Sequence, residues 1–143
     1  QCLGVYNLKM MRLYNYIYQH LGVKYTIVHS LDGYDEISLT DSAKVTGNDG
    51  EFVYAPEELG FKRIEQKALW GGETIKDAAD IFMNVLDNKA TDAQRDAVVI
   101  NAAFAIRTCS PFMTIEDCKA EAINSLLSGA AKKAFFAFLK VYN

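Results

Sequence analysis

Asp35 and Glu36 are the residues best placed to do chemistry in this chain. They stand side by side in Asp32-Gly33-Tyr34-Asp35-Glu36-Ile37-Ser38-Leu39, just after the run Tyr25-Thr26-Ile27-Val28-His29 and a turn at Asp32-Gly33. The run reads as a strand. Both carboxylates then fall on a loop at its carboxyl end, where open α/β sheets place their ligands. Neighbouring side chains on an irregular loop diverge, so the pair can hold two hard cations, or one cation from two sides. Hard cations take oxygen ligands and bring phosphate into a site. An acidic pair on a loop is by itself usually solvated charge, so the surrounding elements decide what it means.

Those elements form a recognisable series. Leu3 to Tyr6 is an apolar run fit for a buried strand, Asn7 can cap the helix that follows, and Gly22 can close it. Met10, Leu13, Tyr14, Ile17, Tyr18 and Leu21 recur within it at helical spacing. Strand, helix and strand make a βαβ unit with parallel strands and a right-handed crossover. Parallel strands are covered on both faces, which implies a larger α/β sheet. Ala43–Thr46 and Glu51–Tyr54, joined through Gly47-Asn48-Asp49-Gly50, read as a hairpin.

A polar connector through Pro56, Gly60 and Gly71-Gly72 leads into a helical second half. Thr74 caps a helix with an apolar face of Ile75, Ala78, Ala79, Phe82, Val85 and Leu86. Thr91 and Gln94 form a capping box before Ala97–Ile106, a run apolar nearly all round and so expected to be buried. Thr114 opens a helix with Ile115, Cys118, Ala122, Ile123 and Leu126. After Ser128-Gly129, a last helix carries Phe135, Phe138, Leu139 and Tyr142. The expected class is α/β, with parallel strands plus a hairpin and then a helical carboxyl-terminal half. Residues 1–143 form a single, partial domain.

Composition bounds the function. The chain has 143 residues, half of them apolar, two prolines and a net charge of -3. That is a globular domain's composition, with no general attraction to nucleic acid or anionic membrane and no run long enough to span a bilayer. The opening Gln1-Cys2-Leu3-Gly4-Val5-Tyr6 lacks a starting Met and a signal pattern, and reads as a piece of a longer protein. Cys2, Cys109 and Cys118 lack metal or redox spacing and read as free thiols of a reducing cytosol, with a Cys109–Cys118 disulfide left open. No phosphate-loop, dinucleotide or nucleophile-elbow motif occurs. No catalytic nucleophile is expected.

Four further features have two readings each. Asn101, the one polar residue in the buried run, either orients the acidic loop or a ligand, or is a core amide bonded to nearby backbone. His29 is a packing and hydrogen-bonding residue before it is an acid or base. Lys132 and Lys133 beside Phe135, Phe136 and Phe138 read as a solvated helix face rather than a nucleic-acid surface. Trp70 with Gly71-Gly72 either walls a pocket or fixes a turn.

The ordered segments resemble the carboxyl-terminal part of anthranilate phosphoribosyltransferases. The resemblance rests on Gln1 to Tyr6, Val28-His29-Ser30, Asp32 to Leu39, Pro56-Glu57-Glu58-Leu59-Gly60-Phe61-Lys62-Arg63, Gly71-Gly72, and Arg95-Asp96-Ala97 running to Asn101-Ala102-Ala103. In order and spacing these extend through about three quarters of the chain, and the D-E-x-S element separates the family from pyrimidine nucleoside phosphorylases of the same fold. Thr40-Asp41-Ser42 departs from the Gly and Pro of many relatives and adds a negative charge near the site.

The resemblance implies transfer of the phosphoribosyl group of phosphoribosyl pyrophosphate to anthranilate, with release of pyrophosphate, in tryptophan biosynthesis. It implies Mg2+ as cofactor, with Asp35 and Glu36 at the family's metal-binding positions, and a cytoplasmic homodimer that binds neither nucleic acid nor membrane. It also implies that the glycine-rich phosphate loop, the anthranilate-binding Arg and the amino-terminal dimer-forming helices precede Gln1, so that this chain alone is inactive. The rival readings are a nucleic-acid-binding relative of the same fold without transferase activity, and a pyrimidine nucleoside phosphorylase-like enzyme.

Overall fold

A computed structural model describes residues 1–141. Strand β1 (Cys2–Gly4) leads into helix α1 (Leu8–Leu21) and strand β2 (Thr26–Ser30). Asn7 starts α1 by accepting the Met10 N–H at 2.9 Å, and Gly22 ends it in the left-handed conformation at φ 62°. β1 and β2 are parallel, pairing Cys2 with Thr26 and Gly4 with Val28. Strands β3 (Ala43–Gly47) and β4 (Gly50–Tyr54) form the hairpin, with Gly47 opposite Gly50. β3 runs antiparallel to β2, which gives one mixed sheet in the order β1-β2-β3-β4.

Every residue of β2 is buried, because the strand is covered on both faces. On one face Ile27 and Tyr25 pack with Val5 and Met11 of the α1 layer. On the other, Val28 and Val45 pack with Ile37, Leu39, Leu59, Ile100 and Phe104. Ile100 and Phe104 belong to helix α3 (Asp92–Cys109), whose start is fixed by the Thr91–Gln94 capping box. Burying each such apolar side chain contributes about 1.5–3 kcal/mol, and α3 shares the cover of this face with Ile37, Leu39 and Leu59. Helices α2 (Ile75–Leu86) and α4 (Ile115–Leu127) build a second core with α3 from Val85, Val99, Ala122 and Leu126. Helix α5 (Ala130–Leu139) lies outermost and has no buried residue. Tyr142, expected in the last helix, lies outside the described residues.

Several expected core residues lie elsewhere. In α1 the buried anchor is Met11, 3% exposed, whereas Leu13 of the expected stripe is 52% exposed and Leu21 also faces solvent. The stripe is present, but only the part of it over β1 and β2 is covered. Ile75 of α2 is 92% exposed because it sits in the first turn, outside the α2–α3 contact. Val98 of α3 also faces solvent, so that helix is covered on most of its circumference rather than all of it. The connector holds two short 3-10 turns, Pro56–Leu59 and Gln66–Leu69.

Candidate functional site

The loop after β2 carries Asp35 and Glu36 and is closed at its base. The Gly33 N–H donates to the Ser30 carbonyl at 3.0 Å, and the Ser30 N–H to that of Tyr34 at 2.9 Å. The Leu31 N–H reaches the Ser42 carbonyl at 2.8 Å, just before β3 begins. Beyond the acidic pair, Ile37 and Leu39 are plugged into the α3-side core. Leu39 adopts a left-handed φ of 62°, rare for a residue with a side chain. Its carbonyl accepts the Ile64 N–H at 3.0 Å, and this contact with its buried side chain hold the conformation.

Three further contacts fix the backbone around the carboxylates. Gly4, at the end of β1, lies beneath Asp35. A Cβ there would stand 1.7 Å from the Asp35 carbonyl oxygen, so only glycine fits. The Asn101 amide of α3 clasps the residue after Glu36, accepting the Ile37 N–H at 3.0 Å and donating to the Ile37 carbonyl at 2.9 Å. The same amide donates to Ala97 at 2.8 Å. Both readings of Asn101 therefore hold in part: its amide is satisfied by backbone, and part of that backbone is the acidic loop.

Hydroxyl groups supply the third contact. Ser30 Oγ donates to the Glu36 carbonyl at 2.7 Å and accepts the Ser38 N–H at 3.1 Å. Ser38 Oγ lies 3.0 Å from Ser30 Oγ and 2.7 Å from Thr40 Oγ1, which in turn donates to Asp32 Oδ2. Thr40 and Asp41, where the sequence departs from the family pattern, thus have structural work. Asp41 pairs with Arg63 at 2.7 Å. That hydrogen bond holds the Asp41 carboxyl below its ordinary pKa, helped by the Ser42 N–H.

Asp35 and Glu36 are both exposed, as expected for ligand-binding side chains. Among the described residues neither carboxylate is paired with a cation, and Arg63 of the connector is committed to Asp41 and Glu57. Glu36 also borders a groove of about 390 Å³ between the loop, α2 and α3, lined by Tyr34, Ser38, Phe82, Val85 and Val98. No third His, Cys, Asp or Glu joins the pair as a metal cluster among the described residues. Two carboxylates are a hard-oxygen donor set suited to Mg2+, an ion that takes one or two protein carboxylates and completes its shell with water and phosphate oxygens.

The other singled-out residues lie outside this arrangement. His29 is buried and its Nδ1–H donates to the Val5 carbonyl at 2.8 Å, a structural tie between β2 and the residue after β1. Lys132 is ion-paired with Asp87. Trp70 is largely exposed and ends the second 3-10 turn. All three cysteines are free thiols. Sequence reasoning missed Gly4, Ser30, Ser38 and Thr40 as supports of the site. A lone glycine ending a strand was the available signal for the first; isolated hydroxyls give none.

Fold and site together define an α/β domain whose acidic loop stands at the carboxyl end of a parallel strand pair. The chain belongs to the glycosyl transferase family, by its a/b domain, whose family model matches residues 1–132. It is 52% identical to the anthranilate phosphoribosyltransferase of Bacteroides thetaiotaomicron over the whole chain and 43% of that protein. It is 46% identical to the enzyme of that name from Cytophaga hutchinsonii over 93% of the chain and 40% of the relative. The anthranilate phosphoribosyltransferase of Thermus thermophilus superposes with a TM-score of 0.82 at 27% identity, covering 96% of this chain and 42% of that one. That of Saccharomyces cerevisiae, solved in complex with PRPP and Mg, gives 0.84 at 21% identity, covering 97% and 40%. The chain thus spans less than half the length of the relatives it matches.

Proposed function

We propose that this chain is the metal-bearing side of a site that moves the phosphoribosyl group of phosphoribosyl pyrophosphate to anthranilate, releasing pyrophosphate, for tryptophan biosynthesis. The observation that carries the reading is the state of Asp35 and Glu36. Both are exposed and unneutralised by the chain, on a loop held by Gly4, Asn101 and the Ser30–Ser38–Thr40 hydroxyls. The names of relatives 52% and 50% identical to it support the substrates.

Asp35 and Glu36 would hold Mg2+. When bound, the ion neutralises charge building on the departing pyrophosphate. The chain's own part is to hold the backbone that carries the two carboxylates. The clasp on Ile37 and the seat of the Asp35 carbonyl on Gly4 fix that backbone, so only the two side chains have to order when ligand arrives. In the reaction the anthranilate nitrogen bonds to C1 of the ribose as the C1–oxygen bond to pyrophosphate breaks, and the amine loses a proton. The sugar passes through an oxocarbenium-like state, so no protein nucleophile is required. Donors must also approach the leaving group from other directions. With under half a relative's length, the chain alone is therefore inactive, and the working enzyme is a cytoplasmic homodimer.

A chimaera tests this reading. The chain replaces the corresponding segment of the Bacteroides thetaiotaomicron relative, and formation of phosphoribosylanthranilate is followed at limiting Mg2+. The chimaera should be active, and Asp35→Ala with Glu36→Ala should lower turnover on the order of 10²-fold with unchanged thermal unfolding. Equal activity of chimaera and double variant would sink the assignment.

A further inference from the structure

We propose that Cys2 and Cys109 are a reversible disulfide site, closed by low-molecular-weight disulfides such as oxidised glutathione. Two independent placements bring the residues together. Cys2 is the register partner of Thr26 in the parallel β1–β2 pair, so their side chains leave the sheet on the same face. That face is the α3 face, because Thr108 Oγ1 of α3 donates to Thr26 Oγ1 at 2.7 Å. Cys109 follows Thr108 directly and is the last residue of α3. The two thiols therefore flank one buried hydroxyl contact, one on the edge strand and one on the helix end that covers it. Both are exposed.

Electrostatics agrees with this proximity. Burial raises the Cys2 thiol above its ordinary pKa, the amino terminus opposes the rise, and Cys109 adds to it. The third cysteine does not compete. Cys118 is fully buried on α4, whereas Cys2 and Cys109 are exposed, and a thiol that a disulfide cannot reach does not exchange.

The chemistry is a two-step exchange. The Cys109 thiolate attacks glutathione disulfide, forming a Cys109–glutathione bond and expelling one glutathione thiolate. The Cys2 thiolate then attacks the Cys109 sulfur and expels the second. The protein loses two electrons and two protons, and one glutathione disulfide becomes two glutathione thiols. The product ties the edge strand β1 to the end of α3 and closes a loop of more than a hundred residues, which constrains the unfolded chain strongly.

The test titrates the folded chain with reduced and oxidised glutathione, alkylates the remaining thiols, and maps the products by intact mass and tryptic digestion. The expected product retains one alkylatable thiol, Cys118, and yields a Cys2–Cys109 linked peptide. Its melting temperature should be raised by about 10 °C, and reductant should reverse the rise. Cys109→Ser should abolish both the linkage and the rise. Stable single-site glutathione adducts, disulfide-linked dimers or a Cys109–Cys118 bridge as the main product would each overturn the proposal.

Discussion

At Asp35 the chain has traded stability for position: a carbonyl seated on a glycine, a carboxylate left without a cation, and a leucine four residues on in a left-handed conformation. The supports should therefore be separable from the carboxylates. Asn101→Ala removes an amide that serves three backbone groups and leaves the Ile37 N–H and carbonyl short of partners. It should destabilise the fold by about 1–3 kcal/mol, read as a lower urea midpoint. Amide exchange should accelerate around Ile37 before it does in β2. Gly4→Ala should cost more, because its methyl group meets backbone rather than a movable side chain. Wild-type stability in both variants would remove the case that the acidic loop is pre-positioned.

At the scale of elements, both ends of α2 respond to acid. Asp77 closes a capping box with Thr74, whose hydroxyl and backbone N–H hold its carboxyl below the ordinary value. Asp87, ending α2, is likewise lowered by Lys132 of α5. A carboxyl whose folded pKa is depressed lends stability above its unfolded value, near about 3.9, and loses it as pH falls through the folded value. Thermal midpoints should thus be flat from neutral pH to about pH 5 and fall below about pH 4. Asp87→Asn should flatten part of that fall, whereas an unaltered acid profile would mean the α2–α5 pair contributes nothing. These caps were legible in the sequence: Asn7, Thr74, Thr91 and Thr114 all start helices, because a capping hydrogen bond spans only three residues. The hairpin was legible from its short Asp-Gly turn, and the parallel pair from the strand–helix–strand order, which leaves one usual crossover. The choice of Met11 over Leu13, the seat of Asp35 on Gly4 and the Ser38–Thr40 contacts were not. They depend on which chain segments meet in space, and periodicity shows an apolar face without showing how much of it is covered.

As a whole molecule, the chain exposes several large apolar side chains and an open strand edge. Among the described residues β1 pairs only with β2, leaving its other edge unpaired. Tyr6 and Leu8, just after it in sequence, are exposed, and so are Leu21 at the end of α1 and Phe136, Phe138 and Val141 towards the carboxyl terminus. Unpaired strand edges and apolar patches favour association. The isolated chain should therefore self-associate through β1 and its flanking faces, in a contact distinct from an enzyme's own dimer. Light scattering at increasing concentration should show a rising mass, and a lysine placed at Cys2 (Cys2→Lys) should reduce it. A clean monomer at high concentration, with the β1 edge open to solvent, would contradict this.

Whether Asp35 and Glu36 are cation ligands can be read with Mn2+, a paramagnetic ion that takes the same oxygen donors as Mg2+. Titrated into the isotope-labelled chain, Mn2+ should broaden the amide signals of Tyr34 to Ile37 first, excess Mg2+ should restore them, and Asp35→Ala with Glu36→Ala should abolish the effect. Broadening that spreads evenly over the surface carboxylates, or that survives in the double variant, would contradict it.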